Sequence, residues 1–404
     1  MARSPLPRTF WVLWVGILVN RAGTFVEPFL IIYLTTQRGL SAGSAGTVLV
    51  AFGAGAFASQ LLGGGLADHL GRRVTVVGGM AVSFVALLSL GAARTMPGLL
   101  VAAFLVGVVG DIHRPAVSAL VADLVEPAER PRAYGLNFWA VNLGFTIAAV
   151  AAGYLAEVSF TLIFAIDAVT CLAFAGVVLL GIRHDPPRHA FGDAPEPAAE
   201  AVRPPGYGTA LRDLVLMSLC GLVLLHGIVY MQVWIALPLS VVDSGLSLHD
   251  YGLIAALNGL LIVLFQPWVS ARAGRFDRMR TIAFAMLVQG VGFGLTALAD
   301  TVPVYALTVA VWTSGEILAA GLLGATVADL APVEARGRYQ GVFGTAFGAA
   351  AMLSPLFGTR VYQHLGEAAL WLACLLIGAV TAIGFLALGP AARRRSGHLV
   401  AAET

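Results

Sequence analysis

Long apolar runs separated by short polar punctuation recur along the whole chain. A helix needs roughly twenty such residues, at about 1.5 Å each, to cross the hydrocarbon of a bilayer. The pattern predicts twelve spans, at 9–35, 46–67, 73–94, 97–122, 134–157, 159–182, 212–240, 250–271, 280–300, 302–328, 341–363 and 367–390. We number them helices 1 to 12. The first 20 residues resemble a secretory signal, with Arg3 and Arg8 ahead of an apolar run. No small-residue cleavage site closes that run, and it continues through Pro28-Phe29-Leu30-Ile31-Ile32, so it reads as a membrane helix. One stretch breaks the pattern. Residues 183–211 carry Pro186, Pro187, Pro195, Pro197, Pro204 and Pro205 among scattered charges. They read as a linker between a six-helix bundle at 1–182 and a second at 212–390, with a polar tail at 391–404.

Composition agrees. Hydrophobic residues make up 58% of the chain and charged residues only 11%, against about 25% charged in a soluble domain. A core of this size cannot hide that much apolar surface from water, so the expected class is an all-α membrane protein. The basic residues are all Arg, and their placement sets an orientation. Of the 24, 19 fall on one side if both termini are cytoplasmic, three (Arg38, Arg94, Arg360) on the other, and Arg21 and Arg114 inside spans. The expected location is a bacterial inner membrane, multi-pass, with both ends inside. Cys171, Cys220 and Cys374 all lie in apolar runs and read as small hydrophobes, not as a disulfide or metal set. No Gly-x-x-x-x-Gly-Lys-Ser/Thr loop and no catalytic constellation stands out, so neither an enzyme nor an ATP-driven pump is expected, and no cofactor or metal is implied.

The two halves are related. A shift of 206 residues carries Ala122-Asp123-Leu124 onto Ala328-Asp329-Leu330, Gly46 onto Gly252, Gln60 onto Gln266, Gly135 onto Gly341 and Arg72 onto Arg278. A shift of six helices preserves topology, so the repeat is parallel, about an axis along the membrane normal.

The loop between helices 2 and 3 reads Gly64-Gly65-Leu66-Ala67-Asp68-His69-Leu70-Gly71-Arg72-Arg73. With the six-plus-six repeat, it resembles the loop signature of the major facilitator superfamily, Gly-x-Leu-Ala-Asp-x-x-Gly-Arg-Arg/Lys, at every defined position. The resemblance implies alternating access, with Gly64, Asp68, Gly71, Arg72, Arg130 and Arg132 forming a conformational latch. The plainer reading of Arg72 and Arg73 is positive-inside anchoring. The second-half copy is degenerate: Gly274 stands at the aspartate's place and Asp277 at the later glycine's. Helix 1 (Asn20-Arg21 through Glu27-Pro28-Phe29) and Arg114-Pro115-Ala116 look like the multidrug-exporter branch. Two departures weigh against drug/proton antiport. Ala103 stands where that branch carries an Arg, although Gly107 is retained. The helix 5 Gly-Pro pair has become Ala148-Ala149.

Six ionisable side chains lie within spans: Arg21, Glu27, Asp111, Arg114, Asp167 and Glu316. Each costs roughly 2.5–3.5 kcal/mol at mid-bilayer unless it is paired, wet or neutral. All but Asp167 lie on helices 1, 4 and 10, and His113 and His226 add to helices 4 and 7. In the superfamily, helices 1, 4, 7 and 10 line the central cavity. Glu316, Asp111, His113 and His226 are therefore candidates for proton coupling. Arg21, Arg114, Phe25, Glu27, Tyr230, Gln232, Trp234, Asn258 and Trp312 are candidates for the substrate lining. Asp111 and Arg114, three apart, equally suit an internal ion pair, and the aromatics equally suit ordinary packing. Asp167 reads as structural, with Asn142 or a helix 5 hydroxyl as its expected partner.

The expected function is secondary active transport, as proton-coupled export of small amphipathic compounds. The alternatives are transport of an organic anion or metabolite, favoured by Arg21 and Arg114, and a non-transporting receptor or scaffold on the same fold. The expected partners are a small-molecule substrate, protons and lipid. Nucleic acid is not expected, and the chain is expected to act as a monomer.

Overall fold

A computed structural model describes residues 6–126, 129–182, 207–273, 276–332 and 335–403. Twelve helices among them are long and apolar enough to cross a membrane. Helices 2, 3, 5 and 6 run Ala42–Leu70, Arg72–Ala92, Arg130–Val158 and Phe160–Gly181. Helices 8, 9, 11 and 12 run Leu248–Ala273, Arg278–Leu295, Arg336–Leu365 and Glu367–Glu403. Most boundaries fall within a few residues of those the hydropathy predicts. Helix 12 is the exception. It does not stop at residue 390 before a polar tail, but continues through Pro390 to Glu403.

Helices 1, 4, 7 and 10 are each broken. Helix 1 divides into Arg8–Ala22 and Val26–Ile32, and helix 4 into Met96–Gly110 and His113–Leu124. Helix 7 divides into Leu214–Tyr230, Gln232–Ile235 and Leu237–Asp243, and helix 10 into Val302–Ala319 and Leu322–Leu330. Proline explains three of the breaks. Pro28, Pro115 and Pro238 lie in the first turn of a following segment. There the missing N–H and the clash with the carbonyl four residues back are tolerated. Helix 10 has no proline at its break and turns instead at Gly321, whose φ of +77° suits glycine.

The described helices form two compact units. The first comprises Met1–Ala199 with Ser247–Leu260, and the second Glu200–Leu246 with Leu261–Thr404. The first half of helix 8 thus clusters with helices 1 to 6, a division the hydropathy does not suggest. In the first unit helix 3 packs on helix 6, helix 1 on helices 5 and 6, and helix 2 on helix 4. In the second, helix 9 packs on helix 12 and helix 7 on helices 11 and 12, the same pairings six helices later. Glycine makes the tightest crossings possible. A Cβ on Gly107 would come within 2.0 Å of the Phe52 carbonyl oxygen, and one on Gly378 within 2.5 Å of the Gly290 Cα. Large apolar side chains such as Val101, Leu264 and Leu376 stand exposed, as a lipid-facing surface requires.

Candidate functional site

In the first unit, the ionisable groups of helices 1 and 4 meet at the two breaks. Asp111, at the end of the first half of helix 4, takes Arg114 Nε at 3.0 Å and Arg21 Nη2 at 3.6 Å on the same carboxylate oxygen. Arg21 closes the first half of helix 1. Its side chain is 13% exposed, while that of Arg114 is 52% exposed. Two guanidiniums share one carboxylate, so this group carries an excess of positive charge with one arm open. Glu27, exposed one turn past the helix 1 break, lies within electrostatic reach of both arginines. His113 is buried edge-on against Phe174, with ring centroids 5.9 Å apart.

The helix 1 break is held from helix 6. One Asp167 oxygen accepts the backbone N–H groups of Phe25 at 3.0 Å and Val26 at 2.9 Å. It thereby caps the second half of helix 1, where the helix dipole favours negative charge. The partners of Asp167 are these two amides, not the helix 5 groups expected from the sequence. Asn142, the expected partner, bonds its own helix at the Phe138 carbonyl. Thr170 lies so close to Gly23 that a Cβ there would sit 2.3 Å from its hydroxyl. Asn20, next to Arg21, donates to Cys171 Sγ at 3.6 Å. Helix 6 thus grips helix 1 on both sides of the break and fixes where Arg21 emerges.

In the second unit, the Tyr230 hydroxyl donates to Glu316 Oε1 at 2.9 Å, joining helix 7 at its first break to helix 10 about one turn before its own. His226, one turn before Tyr230, stacks toward its ring at 6.1 Å. Glu316, Tyr230, His226 and Trp234 are half-buried. Gln232 and Trp312 are enclosed instead. The Gln232 amide donates to the Ile228 carbonyl at 2.9 Å and to that of Ser354 on helix 11 at 3.4 Å. Trp312 stacks on Phe293 with centroids 5.3 Å apart. Phe25 and Asn258 are also buried in packing within the first unit. These four side chains are buried in this conformation.

The expected latch is described only in part. The Asp68 side chain and Gly64 lie outside the described residues, and Gly71 turns the chain with φ of +93°. Arg72 forms its ion pair with Asp123 on helix 4. Arg132 pairs with Glu129 at 3.2 Å, and Arg130 donates to the Val125 carbonyl at 3.3 Å. The second half repeats the first pairing: Arg278 meets Asp329 at 2.5 Å. Both pairs obey the 206-residue offset, which was visible in the sequence as two separate coincidences.

Twelve spans, two units with matching helix pairings and four broken helices bearing the buried charges define a multi-pass membrane transporter. The chain belongs to the Major Facilitator Superfamily, whose model matches residues 13–355 and 219–403. It is 29% identical to the uncharacterized MFS-type transporter YttB of Bacillus subtilis, over 92% of this chain and 93% of that one. It is 25% identical to the multidrug resistance protein MdtH of Aeromonas salmonicida, over 92% of each. It is 23% identical to a Na(+), Li(+), K(+)/H(+) antiporter of Planococcus maritimus, over 86% and 88%. Among solved structures, a POT family transporter in complex with 5-aminolevulinic acid superposes with a TM-score of 0.80 at 17% identity, covering 96% and 97%. That likeness concerns the fold.

Proposed function

We propose that this transporter is a proton-coupled exporter of small amphipathic compounds. The observation that carries the reading is that the four broken helices are the ones that carry most of the ionisable side chains within spans. A broken helix inside a membrane offers backbone groups and charges to a ligand only where it lines a site. Glu316 is the proton-coupling residue. Tyr230 donates to it in the present conformation, and loss or gain of that donor changes how well the carboxylate holds a proton. Arg21, Asp111 and Arg114 form the charge-compensating group, with Arg114 as its open arm. The relatives named multidrug resistance protein and cation/H(+) antiporter support export and proton exchange. The Arg asymmetry of the loops supports a bacterial inner membrane with both ends in the cytoplasm. The protein works as a monomer in this reading.

Purified protein in liposomes should accumulate a fluorescent amphiphile when a pH gradient is imposed, and should stop when an ionophore collapses it. Transport indifferent to the gradient would sink proton coupling. A second reading, transport of an organic anion or metabolite, draws on the half-exposed Arg114 beside Arg21. Under it, Arg21→Ala and Arg114→Ala abolish substrate binding while Glu316→Gln and Asp111→Asn leave transport intact.

A further inference from the structure

Helix 9 is apolar from Ile282 to Leu295 except for Gln289. That side chain is 1% exposed, and neither its Nε2 nor its Oε1 has a hydrogen-bond partner among the described residues. Packing does not call for an amide there. Met or Leu would fill a similar volume with no polar group to desolvate. A buried amide left unpaired inside a span disfavours the conformation that holds it.

Its place is specific. Helices 9 and 10 cross through two glycines. A Cβ on Gly292 would come within 2.5 Å of the Trp312 backbone nitrogen. One on Gly315 would come within 2.6 Å of the Ala285 carbonyl oxygen and 2.7 Å of Gln289 Cγ. Gln289 therefore lies over the bare backbone of Gly315, the residue before Glu316. The repeat points to the same spot. A shift of 206 residues carries Gly79 onto Ala285, Ser83 onto Gln289 and Val109 onto Gly315. In the first unit Ser83 donates to the Gly79 carbonyl at 2.9 Å and to that of Val109 on helix 4 at 3.3 Å. The position is polar in both halves and faces a broken helix shortly before its break. The first half satisfies it with a short hydroxyl. The second half carries a longer side chain there and leaves both ends of its amide unused.

Few other groups compete for a proton at this level. Helix 9 has no ionisable residue between Arg280 and Asp300, and helix 11 none between Tyr339 and Arg360. Helix 12 has only Cys374 between Glu367 and Arg393. Around Glu316 that leaves Tyr230, and His226 behind it, on helix 7.

We propose that Gln289 is the positioning residue for the protonated form of Glu316, an inference that rests on the coupling role given to Glu316 above. As a carboxylate, Glu316 only accepts, and Tyr230 supplies the donor at the half-buried position. As an acid it has one donor and one acceptor, which an amide matches in a closed pair. The Glu316 O–H donates to Gln289 Oε1, and Gln289 Nε2 donates to the Glu316 carbonyl. Adjacent Cα atoms are about 3.8 Å apart, so the carboxyl passes from Tyr230 to Gln289 by a change of rotamer across the bare Gly315. The pair is neutral and fully bonded, so the apolar crossing tolerates it. The proton comes from water and returns to water, and Tyr230 keeps its own.

The test is infrared difference spectroscopy of the full chain in liposomes, titrated with pH, in which a protonated carboxyl shows its own C=O band. The band lost in Glu316→Gln belongs to Glu316. In Gln289→Met it should lie at higher wavenumber, as for a carboxyl with weaker hydrogen bonds, and half its intensity should need about tenfold more protons. The pH profile of gradient-driven transport should move toward acid with it. Tyr230→Phe, which removes only the other partner, should leave the band at its wild-type wavenumber. Thermal unfolding at neutral pH should find Gln289→Met no less stable than the wild type, because an unpaired amide is gone. A band unmoved in Gln289→Met, or moved by Tyr230→Phe instead, would overturn the inference and leave Glu316 as the coupling group. Earlier unfolding of Gln289→Met with an unchanged pH profile would make Gln289 a packing residue and overturn it too. A wild type with no band that Glu316→Gln removes would overturn the coupling role itself, and this inference with it.

Discussion

Without the carboxylate from helix 6, Val26 would lose the acceptor of its backbone N–H inside a membrane span, and Phe25 would keep only the Gly23 carbonyl at 2.9 Å. No water stands ready there, so the cap matters more than at a surface. Asp167→Ala should lower stability by about 1–2 kcal/mol, the upper part of the range for N-caps, while Asp167→Asn keeps an acceptor and loses less. Thermal unfolding in detergent reads both. The two repeat-related ion pairs make a sharper contrast. Asp123 is buried and Arg72 largely so, whereas Arg278 and Asp329 are exposed. Removing one partner of a buried pair costs about 3–5 kcal/mol because a lone charge stays behind. An exposed pair is worth about 0–1 kcal/mol. Arg72→Ala should therefore unfold the protein many degrees earlier, and Arg278→Ala should barely move it. Equal effects would contradict the burial argument. The types and positions of these residues were plain in the sequence, and so was the shared offset. Their pairing was not, because a spacing of 51 residues between Arg72 and Asp123 says nothing until helices 3 and 4 are placed side by side.

At the scale of the element, hydropathy located every span, because a membrane helix is defined by length and apolarity, which are local. It did not locate the breaks, though Pro28, Pro115 and Pro238 marked three of them. Proline alone is an ambiguous signal: Pro267 and Pro355 lie inside helices 8 and 11 that continue past them. Tertiary contacts decide between the outcomes. Helix 12 shows the same limit. The turn after Pro390 carries Arg393, Arg394 and Arg395, which read as a tail, yet Arg393 is tied to Asp277 and Arg395 to Asp213 at 3.6 Å. Asp213 also caps helix 7 and accepts the Tyr339 hydroxyl at 2.9 Å. The Asp277 carboxyl is held below the ordinary carboxylate range, first by the N–H of Arg280 and then, against some desolvation, by Arg393. A depressed carboxylate stabilises the folded state above its unfolded pKa, and that contribution disappears as pH falls through the lowered value. Hydrogen exchange at the backbone amides of Arg393, Arg394 and Arg395 should thus rise only at pH below the ordinary carboxylate range. In Asp277→Asn it should be high at neutral pH and insensitive to acid.

For the whole molecule, the six-plus-six architecture and its family were legible from the repeat, the Arg distribution and the helix 2–3 loop. The grouping of charges by unit was legible only in part. Helices 1, 4, 7 and 10 carry them as expected, but the burial of Gln232, Trp312, Phe25 and Asn258 in this conformation was not legible. Burial depends on the crossing angles of neighbours, and composition does not encode those. The account rests on Glu316 as the group that couples a proton to substrate movement. The most direct measurement compares two modes of transport in liposomes holding Glu316→Gln. Counterflow, in which labelled substrate exchanges against unlabelled, needs alternating access but no net proton movement. Accumulation driven by a pH gradient needs both. The account predicts that the variant retains counterflow near the wild-type rate and loses gradient-driven accumulation. Accumulation preserved alongside counterflow would contradict it.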